Sequence, residues 1–148
     1  MNVSISVQSE DFDISHEIDA LTADTGVAGA VASFVGLVRN KDKSLAAMTL
    51  EHYPGMTEKA IGEIVVTAGQ RWALYGVRVI HRIGRLLPGD RIVLVVVSSK
   101  HRSEAFAACE FIMDYLKTQA PFWKKEETPG GGRWVEARAS DDEAASRW

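Results

Sequence analysis

Three clusters of basic residues are the strongest indication of chemistry in this sequence. They are Arg39–Lys41 after a long apolar segment, Lys100–Arg102 between an apolar run and a predicted helix, and Lys117 with Lys124–Lys125. Strand ends and helix starts often hold ligand sites, and the free backbone N–H groups at a helix start attract anions. The clusters therefore predict a site for an anionic ligand.

Each cluster also has a purely structural interpretation. The first could lie in a solvated loop, and Lys100 could be an ordinary surface charge. Lys117 in the last turn of a helix would complement the helix dipole. Lys124 and Lys125 could protect the edge of a β-strand. The residues alone leave these alternatives open.

Lysine is the nucleophile or base that remains when other candidates are excluded. Cys109, the one cysteine, falls on the apolar stripe of a predicted helix, which favours a buried structural thiol. No serine lies in a GxSxG elbow, and no two of the four histidines have metal-ligand spacing. A lysine crowded by other cations becomes a usable nucleophile or general base. Lys117 and Lys124 would meet that condition in a cationic pocket.

Composition and charge exclude several classes of protein. The 148 residues, 46% hydrophobic and 25% charged, are typical of one globular domain over residues 1–148. The net charge of −3 argues against a nucleic-acid partner. Residues 1–38 carry six acids and no Lys or Arg, whereas residues 39–125 carry 14 basic and eight acidic residues. A basic middle in an acidic chain favours a local anion site.

The sequence also bears on the compartment. The N-terminus lacks the basic and apolar regions of a signal peptide. The longest uncharged apolar stretch, residues 25–38, contains three glycines and is too short to span a bilayer. We therefore expect a cytoplasmic protein that is soluble and has no membrane contact.

Periodicity predicts the elements that must position these residues. Strands are predicted at Asn2–Gln8, Val27–Val38, Ala47–Tyr53, Gly76–Gly84, Arg91–Ser99 and Arg133–Ala137. Helices are predicted at Phe12–Ala23 with Asp13 as N-cap, at Thr57–Trp72, and from an N-cap at Ser103 to a point before Pro121. A turn or mobile loop is expected near 128–132 and a polar tail over 139–148. The mixture favours an α+β fold with a largely antiparallel sheet.

Local features refine this expectation. Gly29 and Gly36 inside a predicted strand indicate a bulge or a close backbone approach. The unbroken apolar run Ile92–Val97 is typical of a central strand buried on both faces. Pro121–Glu127 is expected to be extended, and a partner's extended tail could pair with it by strand addition.

Four segments together resemble the large, catalytic subunit of molybdopterin synthase. They are Gly36–Asn40, Leu50–Met56, Ser99–Arg102 and, above all, Met113–Glu126. The likeness extends over nearly the whole chain and includes Arg133–Val135. The resemblance implies an α/β hammerhead-like fold with an additional antiparallel β subdomain.

The resemblance also implies a reaction. Such an enzyme converts cyclic pyranopterin monophosphate, called precursor Z, into molybdopterin by installing two sulfurs as a dithiolene. The sulfur arrives as a thiocarboxylate on the C-terminal Gly-Gly of a small ubiquitin-like subunit. Two large subunits form a central homodimer within a heterotetramer. No metal or cofactor is implied for the chain itself.

Site residues follow from the same resemblance. Lys117 would be the central catalytic lysine and Lys124 a second essential one. Arg39, His101 and Arg102 would bind the pterin phosphate, with some of them supplied by the neighbouring subunit. The remaining pocket residues would be Leu37, Val38, Lys125 and Glu126.

Two functions of other classes remain compatible with these residues. A non-catalytic module that binds a ubiquitin-like tail would need the groove but not both lysines. A Schiff-base enzyme acting on a phosphorylated carbonyl compound would leave a borohydride-trappable adduct on Lys117.

Overall fold

The computed structural model describes residues 1–24, 26–40, 43–135 and 139–148. Within these ranges the elements are β1 (Asn2–Gln8), α1 (Ile14–Leu21), β2 (Ala30–Leu37), β3 (Ala47–His52), α2 (Met56–Arg71), β4 (Leu74–Arg82), β5 (Gly84–Leu86), β6 (Arg91–Ser99), α3 (Arg102–Gln119), β7 (Phe122–Thr128), β8 (Gly131–Val135) and α4 (Ala139–Ser146). The described strands form two four-stranded sheets, ordered β1-β4-β6-β2 and β5-β3-β7-β8. The α+β prediction with a second antiparallel sheet is confirmed.

The first sheet forms the centre of the molecule. β4 and β2 flank β6 and run antiparallel to it, while β1 adds a parallel edge to β4. Val93, Val95 and Val97 of β6 pack with α2 and α3, whereas Leu94 and Val96 pack on the opposite face with α1. The prediction of a strand buried on both faces is therefore confirmed for β6.

Helices α2 and α3 cover one face of this sheet. In α2 the buried residues Ile61, Ile64, Val65 and Ala68 follow the spacing of a single helical face. In α3 the buried stripe includes Cys109, as the sequence indicated. Burial of these stripes against the sheet fixes the direction of both helices.

The predicted start of α3 needs a correction. His101, with extended backbone, is the N-cap residue, and the helix begins at Arg102 rather than after Ser103. The Ser103 hydroxyl instead donates to the Glu104 carboxylate at 3.0 Å. By contrast, Asp13 caps α1 as predicted, since its side chain accepts from the His16 N–H at 3.1 Å.

Glycines mark where two strands depart from regularity. A Cβ at Gly29 would collide with the Lys100 carbonyl oxygen, so this position requires glycine. The register of β2 shifts between Gly36 and Leu37. Both predicted irregularities are thus present. Gly84, with φ of +87°, ends the predicted Gly76–Gly84 strand and starts the separate β5 in the second sheet.

The second sheet places β3 between β5 and β7, and β8 forms the far edge. A tight hairpin joins β7 to β8, and Gly131 begins β8 in a left-handed conformation with φ of +103°. The last strand therefore begins before Arg133, and the predicted residues 136 and 137 lie outside the described ranges. The turn or mobile loop expected over 128–132 is in the structure a shorter turn, formed by residues 129 and 130 of this hairpin.

The segment predicted as a polar tail contains α4, which packs on α3. Arg147 donates to Glu110 at 2.7 Å and to Asp114 at 2.9 Å, and the Trp148 indole N–H donates to Asp114 at 2.6 Å. The Trp148 ring also meets Trp72 and Phe111 edge-on. These contacts hold α4 near the end of α3. Within the described ranges, no helix is long and apolar enough to cross a membrane.

Candidate functional site

A cavity of about 330 Å³ lies between the C-terminal end of α3 and the second sheet. Met48, Leu50, Ile92, Leu116 and Phe122 supply apolar wall. Among the described residues, its ionisable side chains are those of Arg39, His81, Lys117, Lys124, Glu126 and Asp141. Residues of α3, α4, β3, β4, β6 and β7, together with Arg39 from the segment after β2, therefore meet at one place.

The alternation of β7 decides which of its side chains reach the cavity. Phe122, Lys124 and Glu126 line it. Trp123 and Lys125 are exposed on the other side of the strand, because successive side chains of a strand point to opposite faces. The Lys125 ammonium lies 5.8 Å from the centre of the Trp134 ring. The predicted pocket residue Lys125 is thus outside this cavity.

A buried threonine fixes the junction between α3 and β7. Thr57, at the start of α2, is fully buried, and its hydroxyl donates to the Pro121 carbonyl at 3.4 Å. The same oxygen accepts from the Tyr53 N–H at 3.1 Å. Pro121 prevents α3 from continuing. The chain therefore turns directly into β7, which brings Lys117 and Lys124 to one cavity.

Arg39 reaches the same cavity from the end of β2. Leu37 lines the cavity and is 55% exposed, whereas Val38 is 3% exposed and packs in a small core with Met48 and Leu50. The Asn40 side chain bonds both backbone groups of Leu45, at 3.0 and 3.3 Å, and so closes the connection to β3. Lys41, the third member of the first basic cluster, lies outside the described residues.

Comparison of the sequence with models of known protein families gives a match that covers most of the chain. The model of the MoaE protein family matches residues 7–119. The chain belongs to the MoaE family.

Individual relatives agree with that assignment over nearly full length. A molybdopterin synthase catalytic subunit from Ralstonia nicotianae is 60% identical over 147 residues, which are 98% of this chain and 84% of that protein. One from Escherichia coli is 59% identical over 146 residues, or 97% of each chain. The solved structure of a molybdopterin biosynthesis MoaE protein from Burkholderia ambifaria has 56% identity and a TM-score of 0.86, and the match covers 99% of this chain and 97% of that one. The family that the resemblance indicated in the sequence is thus confirmed.

His81 and Asp141 are ionisable cavity residues that the sequence analysis did not predict; the first of them is the more deeply placed in the fold. His81 is the last residue but one of the core strand β4, and its ring stacks on Phe122 with 3.8 Å between centroids. Burial, together with the positive charges of Lys117 and Lys124, lowers the pKa of His81 to about 4. No motif or spacing marks this histidine, because its cavity neighbours are far away along the chain. Asp141 was missed for the same reason.

His101 and Arg102 lie at the opposite end of α3 from Lys117. Fifteen residues at the helical rise of 1.5 Å separate Arg102 from Lys117 by about 22 Å. Both His101 and Arg102 are exposed. A single chain therefore does not bring His101 and Arg102 of the second basic cluster to the cavity that holds Lys117 and Lys124.

The ionisable side chains of the cavity carry more positive than negative charge. Arg39, Lys117 and Lys124 contribute three cations, against the carboxylates of Glu126 and Asp141. Glu126 is also drawn toward Arg133, whose guanidinium lies 3.6 Å away. The cavity consequently suits an anionic ligand that has hydrogen-bonding groups as well.

The single cysteine of the sequence, Cys109, belongs to none of the three basic clusters. Cys109 is buried in the middle of α3, and burial raises the pKa of its thiol to about 12. A thiol with so little thiolate at neutral pH is a poor nucleophile. The prediction that Cys109 is a buried thiol is confirmed.

The pairing of β7 bears on the prediction that a partner's extended tail adds to Pro121–Glu127 as a strand. Its two edges pair with β3 and with β8. From Lys124 to Glu127 the backbone is paired on both sides, so an extended tail cannot add to that part of β7 as a further strand. A tail that enters the cavity would contact the side chains of β7 instead.

Proposed function

We propose that this chain is the catalytic subunit of a molybdopterin synthase. It transfers sulfur from the thiocarboxylated C-terminus of a small ubiquitin-like subunit to precursor Z, and so forms the dithiolene of molybdopterin. The observation that carries the proposal is one cavity that gathers Arg39, Lys117 and Lys124 in a chain whose relatives bear the name of that subunit.

Phosphate recognition falls to the guanidinium of Arg39. A planar guanidinium binds phosphate oxygens through two parallel N–H donors. Charge-assisted hydrogen bonds of this kind contribute about 1.5–3 kcal/mol each. Leu37 contributes apolar contact beside it, and Val38 supports the wall from behind.

Sulfur transfer falls to the two lysines. Lys117, at the end of α3, acts as nucleophile or general base beside the incoming thiocarboxylate. Lys124 adds a second positive charge, which stabilises the negative charge that moves from the thiocarboxylate to the substrate. Glu126, on the same face of β7 as Lys124, adds a carboxylate that offsets part of the positive charge of the cavity.

His101 and Arg102 complete the pocket of a second copy of this chain. The separation of about 22 Å from Lys117 along α3 supports that division. Val31, Phe34 and Leu37 are exposed on the edge strand β2, which offers apolar surface for a symmetric contact between copies. In this arrangement the homodimer is the functional unit, with one small subunit per pocket. The cytoplasm is the proposed location of the complex.

Reconstitution tests the proposal directly. The purified chain is incubated with the thiocarboxylated small subunit and precursor Z, and dithiolene formation is measured. Product is expected only when all three are present. A non-catalytic module would bind the tail and yield no product. A Schiff-base enzyme would instead give a borohydride-trapped adduct at Lys117 with a phosphorylated carbonyl compound. Either of these results would contradict the proposal.

A further inference from the structure

His81 is an ionisable cavity residue to which the proposed chemistry gives no role. It reaches the cavity from β4, whereas the two lysines arrive from α3 and β7. Its ring is stacked on Phe122, with the two planes inclined by 18°. The stack restrains the rotation of the imidazole and leaves it little conformational entropy to lose on binding.

The hydrogen bond of the imidazole fixes its tautomer. Nδ1 lies 2.9 Å from the Arg82 carbonyl oxygen. A carbonyl oxygen can only accept, so Nδ1 carries the proton and donates. In the neutral ring Nε2 then holds the lone pair and is an acceptor.

The surroundings keep the ring neutral. The groups that act on its charge are Lys117 from α3, Lys124 from β7 and His52 from β3, in addition to burial. Arg39, Glu126 and Asp141 lie on the same cavity wall. The cavity wall that includes His81 thus carries cationic donors and anionic carboxylates, and the imidazole adds an uncharged acceptor.

A reduced pterin presents ring N–H groups that need such an acceptor. We propose that His81 is a specificity-determining residue, whose Nε2 accepts a hydrogen bond from an N–H group of the pterin ring of the substrate. This inference rests on the proposed function, because that function supplies the pterin. Arg39 and Lys117 then engage the phosphate and the sulfur donor, while His81 recognises the heterocycle. A neutral acceptor discriminates against ligands that present a lone pair at the same place.

Two substitutions distinguish the role of the hydrogen-bond acceptor of His81 from the role of its flat ring. His81→Phe keeps a flat ring against Phe122 and removes the acceptor, whereas His81→Gln keeps a neutral acceptor oxygen. The variants are assembled with the small subunit, and the Kd and KM for precursor Z are measured. His81→Phe should raise both by about five- to tenfold, the equivalent of one hydrogen bond of roughly 1 kcal/mol. His81→Gln should remain within about threefold of the wild type, and affinity for the small subunit should be unchanged in both.

Nitrogen NMR of the labelled imidazole reports on the same contact without turnover. Addition of precursor Z should move the Nε2 resonance of His81, while inorganic phosphate alone should leave it in place. The inference is overturned if His81→Phe binds precursor Z like the wild type. It is equally overturned if the Nε2 resonance does not shift when precursor Z is added. This measurement uses the wild-type protein, so it decides the question even if the variant fails to fold. If the wild-type complex neither binds nor converts precursor Z, the proposed function itself has failed.

Discussion

The two ends of helix α3 carry similar residues in opposite surroundings. At the C-terminal end, Lys117 lies on a cavity closed by β7, β2 and α4. At the N-terminal end, His101 and Arg102 are exposed on the surface. Basic residues occur at both ends, yet only one end is built into a site within the described chain.

The length of the helix explains this difference. An element of 18 residues cannot bring both of its ends to one ligand of ordinary size. A second copy, related by a twofold axis, can place the N-terminal end of its α3 against the cavity of the first. Two basic clusters at the ends of the same helix therefore need not belong to the same pocket of one chain.

The largest effect is expected at the C-terminal end. Lys117→Ala should lower dithiolene formation by about 10²- to 10⁴-fold, the usual contribution of an acid–base or nucleophilic group. The fold should be retained, because the Lys117 side chain is exposed. Lys59→Ala, which removes an exposed lysine of α2, is the matched control and should keep full turnover. Wild-type turnover by Lys117→Arg would instead assign the lysine a purely electrostatic role.

At the N-terminal end the expected effect is smaller and concerns binding. Arg102→Ala should weaken precursor Z binding by about ten- to a hundredfold, the equivalent of a lost charge-assisted hydrogen bond. Arg39→Ala should do the same from within the cavity. Affinity for the small subunit should change much less, and equal losses for both ligands would refute the assignment.

Mixing two defective proteins tests whether the ends cooperate across a dimer. Lys117→Ala and Arg102→Ala are mixed under conditions that exchange subunits. If each pocket combines the Lys117 of one copy with the Arg102 of the other, a mixed dimer holds both lesions in one pocket and leaves the second intact. An equal mixture should then recover about a quarter of wild-type activity. No recovery would contradict the proposal that Arg102 completes the pocket of the partner copy.

The sequence predicted elements well where one local pattern decides the outcome. The period of α2 and the apolar run of β6 are such patterns, because burial of those side chains is the main stabilising term. Elements that depend on tertiary contacts were missed. α4 exists because Arg147 and Trp148 dock on α3, and a short polar segment has no amphipathic signature of that docking.

The candidate site shows the same division. Arg39, Lys117 and Lys124 come from motifs, and the fold gathers them in one cavity. His81 and Asp141 reach that cavity through pairing of strands and helices distant in sequence, which no local spacing encodes. The alternation of β7 then separates Lys125 from Lys124, a distinction that a motif of consecutive residues cannot make.

His81 is coupled to the C-terminal end of α3, because the charge of Lys117 helps to lower its pKa. Its pKa of about 4 in the folded chain is below the ordinary value of 6.5, so between these pH values the unfolded chain binds a proton that the folded chain does not. Stability is therefore lost as pH falls through this window, by about 2 kcal/mol between pH 7 and pH 5. Urea unfolding at both pH values should show that loss in the wild type and a smaller one in His81→Gln. Equal pH dependence in the two proteins would contradict the assignment.

The smallest effect is expected midway between the two ends, at Cys109. Its thiol is buried against the Val95 backbone, and replacement by alanine removes a single atom from a packed core. We expect Cys109→Ala to lower the free energy of unfolding by about 1 kcal/mol and to leave sulfur transfer unchanged. Denaturant unfolding and the reconstituted assay measure the two quantities on the same preparation. If a stably folded Cys109→Ala protein lost sulfur transfer, this chain would itself carry sulfur. The chemistry of α3 would then not be confined to its two ends, because a residue at the middle of the helix would take part in sulfur transfer.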